Sequence, residues 1–296
     1  MDIFDKHIDA CPLCAGLQLS ALYKISRFEQ EFSLFRCSSC GFIFMNPSFS
    51  DAYINSFYGR DYYEGTASYS YVDERRIKKY ARYVWDKRIE KLHGYVSGGN
   101  LLDVGASFGG FMERAAKYYT PYGIEMSSYS GEKAAELFRG NVHIGNFSSH
   151  PFKHDFFSVI TMIELLEHLK NPAWALEESC RLLKKGGILV VQTANMDGLQ
   201  AKIKKDSYGY FLPGHLSYFS KKNLTAALLR SGFDKVKAYI PVDFGLLPKL
   251  KKSRGSFNSV LDYRHWLRIS AYHALGLLHF GNFCATSSMV LYAFKI

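Results

Sequence analysis

The sequence predicts a doubly wound α/β domain preceded by a small cysteine-bearing module, and three features carry that expectation. From Asn100 onward, apolar runs alternate with glycine turns and segments of helical period. Two Cys-x-x-Cys pairs stand within the first 47 residues. Hydrophobic residues make up 48% of the 296-residue chain, which suits one principal core with attachments better than two full-sized domains.

The cysteine module spans residues 1–47. Its pairs are CPLC, with Cys11 and Cys14, and CSSC, with Cys37 and Cys40, separated by 22 residues. The text between them, LQLSALYKISRFEQEFSLFRC, reads as short strands joined by a turn. The opening MDIFDKHIDACPLC carries acids and lacks the basic-then-apolar order of a signal peptide, and no apolar stretch is long enough to cross a bilayer. A cytoplasmic chain is expected, where paired cysteines favour metal over disulfides. Four thiolates can surround one Zn(II) tetrahedrally, a closed site that serves stability or substrate docking rather than catalysis. Cys180 and Cys284 read as core residues.

Residues 48–95 form a second segment. Its first part, within NPSFSDAYINSFYGRDYYEGT (46–66), is an aromatic connector placed to cover a cleft, and Tyr58, Tyr62 and Tyr63 either close over a ligand there or simply pack. YVDERRIKKYARYVWDKRIEKLH (71–93) then has charged and aromatic residues at helical spacing, predicting one long helix.

The main domain covers 96–241 and 285–296. Strands are expected at NLLDV, YGIE, VHI, FFSVITMI, GILVVQT, KVKAYI and SSMVLYAFKI, with helices near 109–118, 129–139, 172–184 and 221–231. Such alternation implies a largely parallel sheet covered on both faces. Asn171 before Pro172 marks one helix start, and Ser220 marks the next. Residues 242–284 break the pattern. They hold PKLKKSRG, a basic stretch expected to be flexible, then LDYRHWLRISAYHALGLLHFG, an amphipathic helix serving as lid, dimer contact or membrane contact.

LLDVGASFGG follows the first strand and opens the first helix. Small residues at Gly105, Ser107 and Gly109 let backbone approach a ligand, and the helix start offers free N–H groups. Glu125, twenty residues beyond Gly105, ends the second strand, where a carboxylate can accept both ribose hydroxyls. To this point an adenosyl and a nicotinamide cofactor fit equally. Farther on, IELLEHLKNPAWALEESCRLLKKGGILVVQTAN resembles the class I S-adenosylmethionine-dependent methyltransferases, in the group carrying Glu-His-x-x-(Asn/Asp)-Pro and Leu-Lys-x-Gly-Gly; Glu167, His168, Asn171, Pro172, Leu183, Lys184, Gly186 and Gly187 supply those positions. The resemblance covers about 96–240 plus the last strand. It implies a Rossmann-like seven-stranded sheet whose last strand is antiparallel, with S-adenosylmethionine at the carboxyl ends of the first and fourth strands. It implies that Asp103, Gly105 and Gly109 border the methionine portion, Glu125 the ribose, and Asn146 and Phe147 the adenine, where the family usually has Asp in place of Asn146. Ser107, Glu164 and Tyr63 complete the expected cofactor set.

A hydroxyl acceptor must lose a proton as it is methylated. His168 is the leading base, with Glu167 orienting it; the pair alternatively caps the loop before Asn171. His215, in YFLPGHLSYFS, faces the acceptor or fastens its own loop. The cysteine module, Asn-Pro connector and this domain together resemble bacterial methyltransferases of sugar and polysaccharide biosynthesis. That resemblance implies a sugar, nucleotide-linked or in a glycan, methylated on hydroxyl or carbon. An excess of 37 Lys and Arg over 27 Asp and Glu, a net charge of +10, agrees with a phosphate-bearing acceptor. RNA methylation is a second reading, against which stands the absence of Asn-Pro-Pro-Tyr text at the fourth strand. A non-catalytic cofactor-binding or partner-binding protein is a third.

Overall fold

In the computed structural model, which describes residues 2–65 and 75–296, the chain between the cysteine pairs is a hairpin of β1 (Leu19–Arg27) and β2 (Gln30–Cys37). Phe28 and Glu29 at its tip both have positive φ, 52° and 60°, the two-residue turn whose twist matches paired strands. β3 (Ile43–Met45) pairs with β2. The connector holds α1 (Asp51–Phe57), capped by the Ser50 hydroxyl, and α2 (Arg60–Glu64). Thr66 and residues 71–74 of the predicted long helix lie outside the described residues. The described part is α3 (Lys78–His93), which buries Ala81, Val84, Trp85, Arg88, Ile89 and Leu92 along one stripe.

The remaining chain alternates as β4 (Asn100–Val104), α4 (Gly110–Ala115), β5 (Thr120–Glu125), α5 (Ser128–Leu137), β6 (Val142–Ile144), β7 (Phe157–Ile163), α6 (Pro172–Leu182) and β8 (Leu183–Ala194). There follow α7 (Leu199–Lys204), β9 (Ser217–Tyr218), α8 (Lys221–Arg230), β10 (Lys235–Tyr239), α9 (Leu246–Ser253), α10 (Arg264–Gly276), β11 (His279–Phe280), β12 (Phe283–Cys284) and β13 (Ser288–Phe294). The large sheet has seven strands in the order β10-β13-β8-β7-β4-β5-β6, and β13 runs antiparallel to both neighbours. This is the Rossmann-like arrangement expected. Successive residues of its central strands serve opposite faces: Leu101, Val159 and Val190 pack under α3 and α4, whereas Leu102, Ile160 and Leu189 pack under α6 and α8. Burial on both faces explains why these strands read as continuous apolar runs. Asn171 and Ser220 cap α6 and α8 through their side chains, as their positions predict.

Two features depart from the sequence reading. β9, directly after His215, pairs with β3 and becomes the fourth strand of the cysteine-module sheet. Two residues are too few to show a period, so nothing in the text marked it. PKLKKSRG is not a loose stretch but largely the helix α9, with Pro248 in its first turn and basic residues in its last, complementing the dipole. α9 packs against α3, where a Cβ on the nearby Gly255 would sit 2.9 Å from Tyr80, so only glycine allows so close an approach. α10 lies where expected, yet it is peripheral, with Leu267 and Leu275 exposed. No helix among the described residues is long and apolar enough to cross a membrane.

Candidate active site

At the carboxyl end of β4 the backbone turns through Gly105 (φ 84°), Ser107 (φ 49°) and Gly109 (φ 77°). A Cβ on Gly105 would lie 3.0 Å from Leu165 Cδ1, so both conformation and space call for glycine. Ser107 tolerates the left-handed region because its N–H reaches Glu125 and donates to Oε2 at 2.7 Å. Glu125 Oε1 accepts from the Ser127 N–H at 2.9 Å and from the Tyr63 hydroxyl at 3.2 Å. Burial pushes the Glu125 carboxyl up, and these donors pull it back only in part. The carboxylate is thus held in one orientation at the end of β5.

Around it lie the other expected cofactor residues. Asp103 is 6% exposed, and its Oδ1 accepts from the Thr161 hydroxyl at 2.6 Å. Phe147 is buried beside Trp174, their rings 5.5 Å apart, and Asn146 precedes it at the surface. Glu164, in a left-handed conformation (φ 53°) just past β7, accepts from Gln192 Nε2 at 2.8 Å. Tyr63 packs edge-on against Phe108, and the Tyr58 ring packs edge-on against Tyr62 beside it. All of these line one cavity of about 1250 Å³, more than a single small ligand fills, since such sites span roughly 300–1,000 Å³. Gly109 caps α4 and faces Phe138, and Gly110 beside it lines the cavity wall.

The same cavity reaches Glu167, His168 and His215, whose donor atoms lie within 4.8 Å of one another. His168 Nδ1 is 2.7 Å from the Gly214 carbonyl, and His215 Nδ1 is 2.9 Å from the Tyr210 carbonyl. A carbonyl only accepts, so both rings carry their proton on Nδ1 and present Nε2 as a lone pair. The rings meet edge-to-face at 4.8 Å. Burial pushes both imidazoles below their usual range, that of His215 strongly, with the neighbouring His168 adding to the effect. Glu167 does not orient His168 as expected; Gly214 does, with the Tyr58 hydroxyl 2.9 Å from the same Nδ1. The Glu167 carboxyl is fully buried, accepts from the Tyr210 hydroxyl, and leaves Oε2 without a partner. Burial raises it to about 7. Neutral bases beside a proton-holding carboxyl form a set that can take and pass one proton near neutral pH.

Sequence reasoning missed Tyr210, Gln192 and Arg88. Arg88 sits on the buried stripe of α3, and a cation at an apolar stripe position was a readable sign of a buried partner. That partner is Asp243, bound in a bidentate pair with N···O distances of 2.7–3.2 Å, and Tyr292 donates to the same carboxylate. Arg88 Nη2 also donates to Gln192 Oε1 at 2.5 Å, tying the pair to Glu164.

The four N-terminal cysteines converge. Sγ atoms of Cys11 and Cys40 are 3.8 Å apart and those of Cys14 and Cys37 are 3.7 Å apart, with all four within 4.8 Å. Sulfurs about 2.3 Å from a central Zn(II) at tetrahedral angles stand ~3.8 Å from one another, so the donor set fits that ion.

Residues 77–238, over half the chain, match the family described as Methyltransferase domain. An uncharacterized protein of Methanocaldococcus jannaschii is 27% identical over 158 residues, covering 52% of this chain and 74% of that protein. The ubiquinone biosynthesis O-methyltransferase of a Shewanella species is 27% identical over 118 residues, covering 36% of this chain and 48% of that enzyme, about half its length. A solved S-adenosylmethionine-dependent methyltransferase of Thermotoga maritima superposes with a TM-score of 0.50 at 17% identity, over 76% of this chain and 95% of its own, which shows the common fold. The glycine turn, the carboxylate ending β5, the sheet order and the family match converge, and the chain belongs to the methyltransferase domain family as an S-adenosylmethionine-dependent methyltransferase.

Proposed function

We propose that this enzyme methylates a sugar, nucleotide-linked or within a glycan, on a hydroxyl or carbon, with His168 or His215 taking the proton that the acceptor loses. The observation that carries the reading is the pair of imidazoles that line the cavity with Glu167, each with Nδ1 held by a backbone carbonyl, which leaves Nε2 as the acceptor of a proton. Bound S-adenosylmethionine supplies the electrophilic methyl. Asp103, Gly105 and Ser107 border its methionine portion, Glu125 with Tyr63 holds the ribose hydroxyls, Asn146 and Phe147 flank the adenine, and Glu164 lies at the acceptor boundary. Much of the rate comes from holding the acceptor close and dry against that methyl. The O-methyltransferase name of the Shewanella relative supports a hydroxyl acceptor. Cys11, Cys14, Cys37 and Cys40 hold one structural Zn(II) in a module of residues 1–47, and residues 242–284 complete the acceptor wall.

The test is methyl transfer from radiolabelled S-adenosylmethionine to a panel of sugar nucleotides and oligosaccharides, with tRNA as comparison. Sugar product is expected; label in RNA alone, or tight cofactor binding without turnover on any acceptor, would overturn the reading. Glu125→Gln keeps shape but loses the charge that ribose hydroxyls donate to, and weaker cofactor binding by roughly ten- to a hundredfold is expected by calorimetry. Because both imidazoles are pushed below their usual range, they stay neutral at pH 7 and are lost as bases only on acidification. The acidic limb of kcat/KM is therefore expected below about pH 6.5. His168→Gln or His215→Gln should remove that limb with the rate, by on the order of a hundredfold or more for the variant that loses the base.

A further inference from the structure

One wall of the cavity is contributed by α9, from which Lys249, Lys252 and Ser253 face inward. Lys249 and Lys252 are three residues apart and share a helix face. Four other cations at the cavity have carboxylate partners: Lys78 with Glu113, Lys133 with Glu136, Lys170 with Asp5 and Asp51, and Arg88 with Asp243. Lys249 is different. It makes no hydrogen bond or ion pair with any described residue, although it is half-buried. Around it stand Lys252 and Arg88, which repel it, and Glu164, which attracts it but is occupied by Gln192. His273, on α10, faces it as well. Burial and the neighbouring cations push its ammonium below the ordinary lysine range. A partly desolvated ammonium without an ion-pair partner costs folding free energy, and an anion placed beside it returns that cost.

We propose that Lys249 and Lys252 form an anion subsite that binds the phosphate or diphosphate of the acceptor, with the sugar to be methylated lying toward His168 and His215. This rests on the acceptor reading above and adds the group by which the acceptor is held.

The experiment is calorimetric titration of pyrophosphate into the full chain saturated with S-adenosylhomocysteine. Binding to the unaltered protein is expected, weakened on the order of tenfold or more in Lys249→Met and little changed in Lys249→Arg. Lys251→Met is the control, because Lys251 removes the same charge from the same helix but packs outward over Tyr83. Unchanged S-adenosylhomocysteine affinity shows that each variant is folded. Equal pyrophosphate binding by Lys249→Met and unaltered protein, or none by the unaltered protein, overturns the proposal. Titrating uridine diphosphate and a water-soluble isoprenyl diphosphate then shows which source of the group is preferred. Lys249-dependent pyrophosphate binding without methylation of any sugar would sustain the subsite and refute the sugar acceptor.

Discussion

Cys37→Ser is expected to abolish zinc binding, melt the N-terminal module and suppress methyl transfer together. Structural zinc contributes on the order of 10 kcal/mol in small modules, more than any other single group in this chain can offer. The effect should also propagate, because the module is not a separate appendage. The Phe42 ring packs at a tilt against Phe219, centroids 5.1 Å apart, and β3 pairs with β9, the strand that follows His215. The Leu216 N–H donates to the Glu167 carbonyl at 2.7 Å, and the Met45 N–H to the Leu216 carbonyl at 2.9 Å, so the metal module and both ends of the proton-handling set share one backbone scaffold. Metal analysis is expected to fall from one zinc per chain to none, with a lower Tm and lost turnover. Cys180→Ser and Cys284→Ser should keep the zinc, since both side chains lie elsewhere in the core. Full zinc content in Cys37→Ser would refute the site.

Asp243→Ala is expected to destabilise the fold by about 3–5 kcal/mol in urea titration, because it leaves the buried Arg88 guanidinium without its charge partner. Burial alone would raise the Asp243 carboxyl, but the charge and hydrogen bonds of Arg88 hold it below its ordinary range. A depressed carboxyl stabilises the fold above its unfolded value of about 3.9 and loses that contribution as pH falls toward its folded value. The Asp243→Ala penalty should therefore shrink with acidification below about pH 4. The double variant Arg88→Met with Asp243→Leu should recover most of the stability, since a matched apolar pair removes both charges. It should not recover activity in full, because Arg88 also positions Gln192 and through it Glu164. Equal stability of Asp243→Ala and unaltered protein would show that the ion pair is not what closes this side of the cleft.

Much of the architecture was legible in local text. The central strands are buried on both faces, so their apolar runs stand out, and the capping residues Asn171 and Ser220 act within three residues of themselves. The cysteine spacing, the glycine turn after β4 and Glu125 at the end of β5 were equally readable. Each reflects geometry set by neighbours in sequence. The text does not tell the adjacent Gly109 and Gly110 apart; packing does, with Gly109 against Phe138 and Gly110 against Trp85.

What the sequence by itself determined is the class of fold, the seven strands, the metal-suited cysteines and the glycine turn after β4, because periodicity and short motifs act over a few residues. What only the tertiary structure decided is how the side chains of the site are held. His168 is oriented by Gly214, 46 residues away, Glu125 by Tyr63 at a separation of 62, and Arg88 is neutralised by Asp243 at 155. Contacts at such distances depend on how helices and strands pack, and no local pattern encodes them. For the same reason α9, which read as a loose basic stretch, is a wall of the cleft: its lysines acquire meaning only once α3 holds them over the cavity.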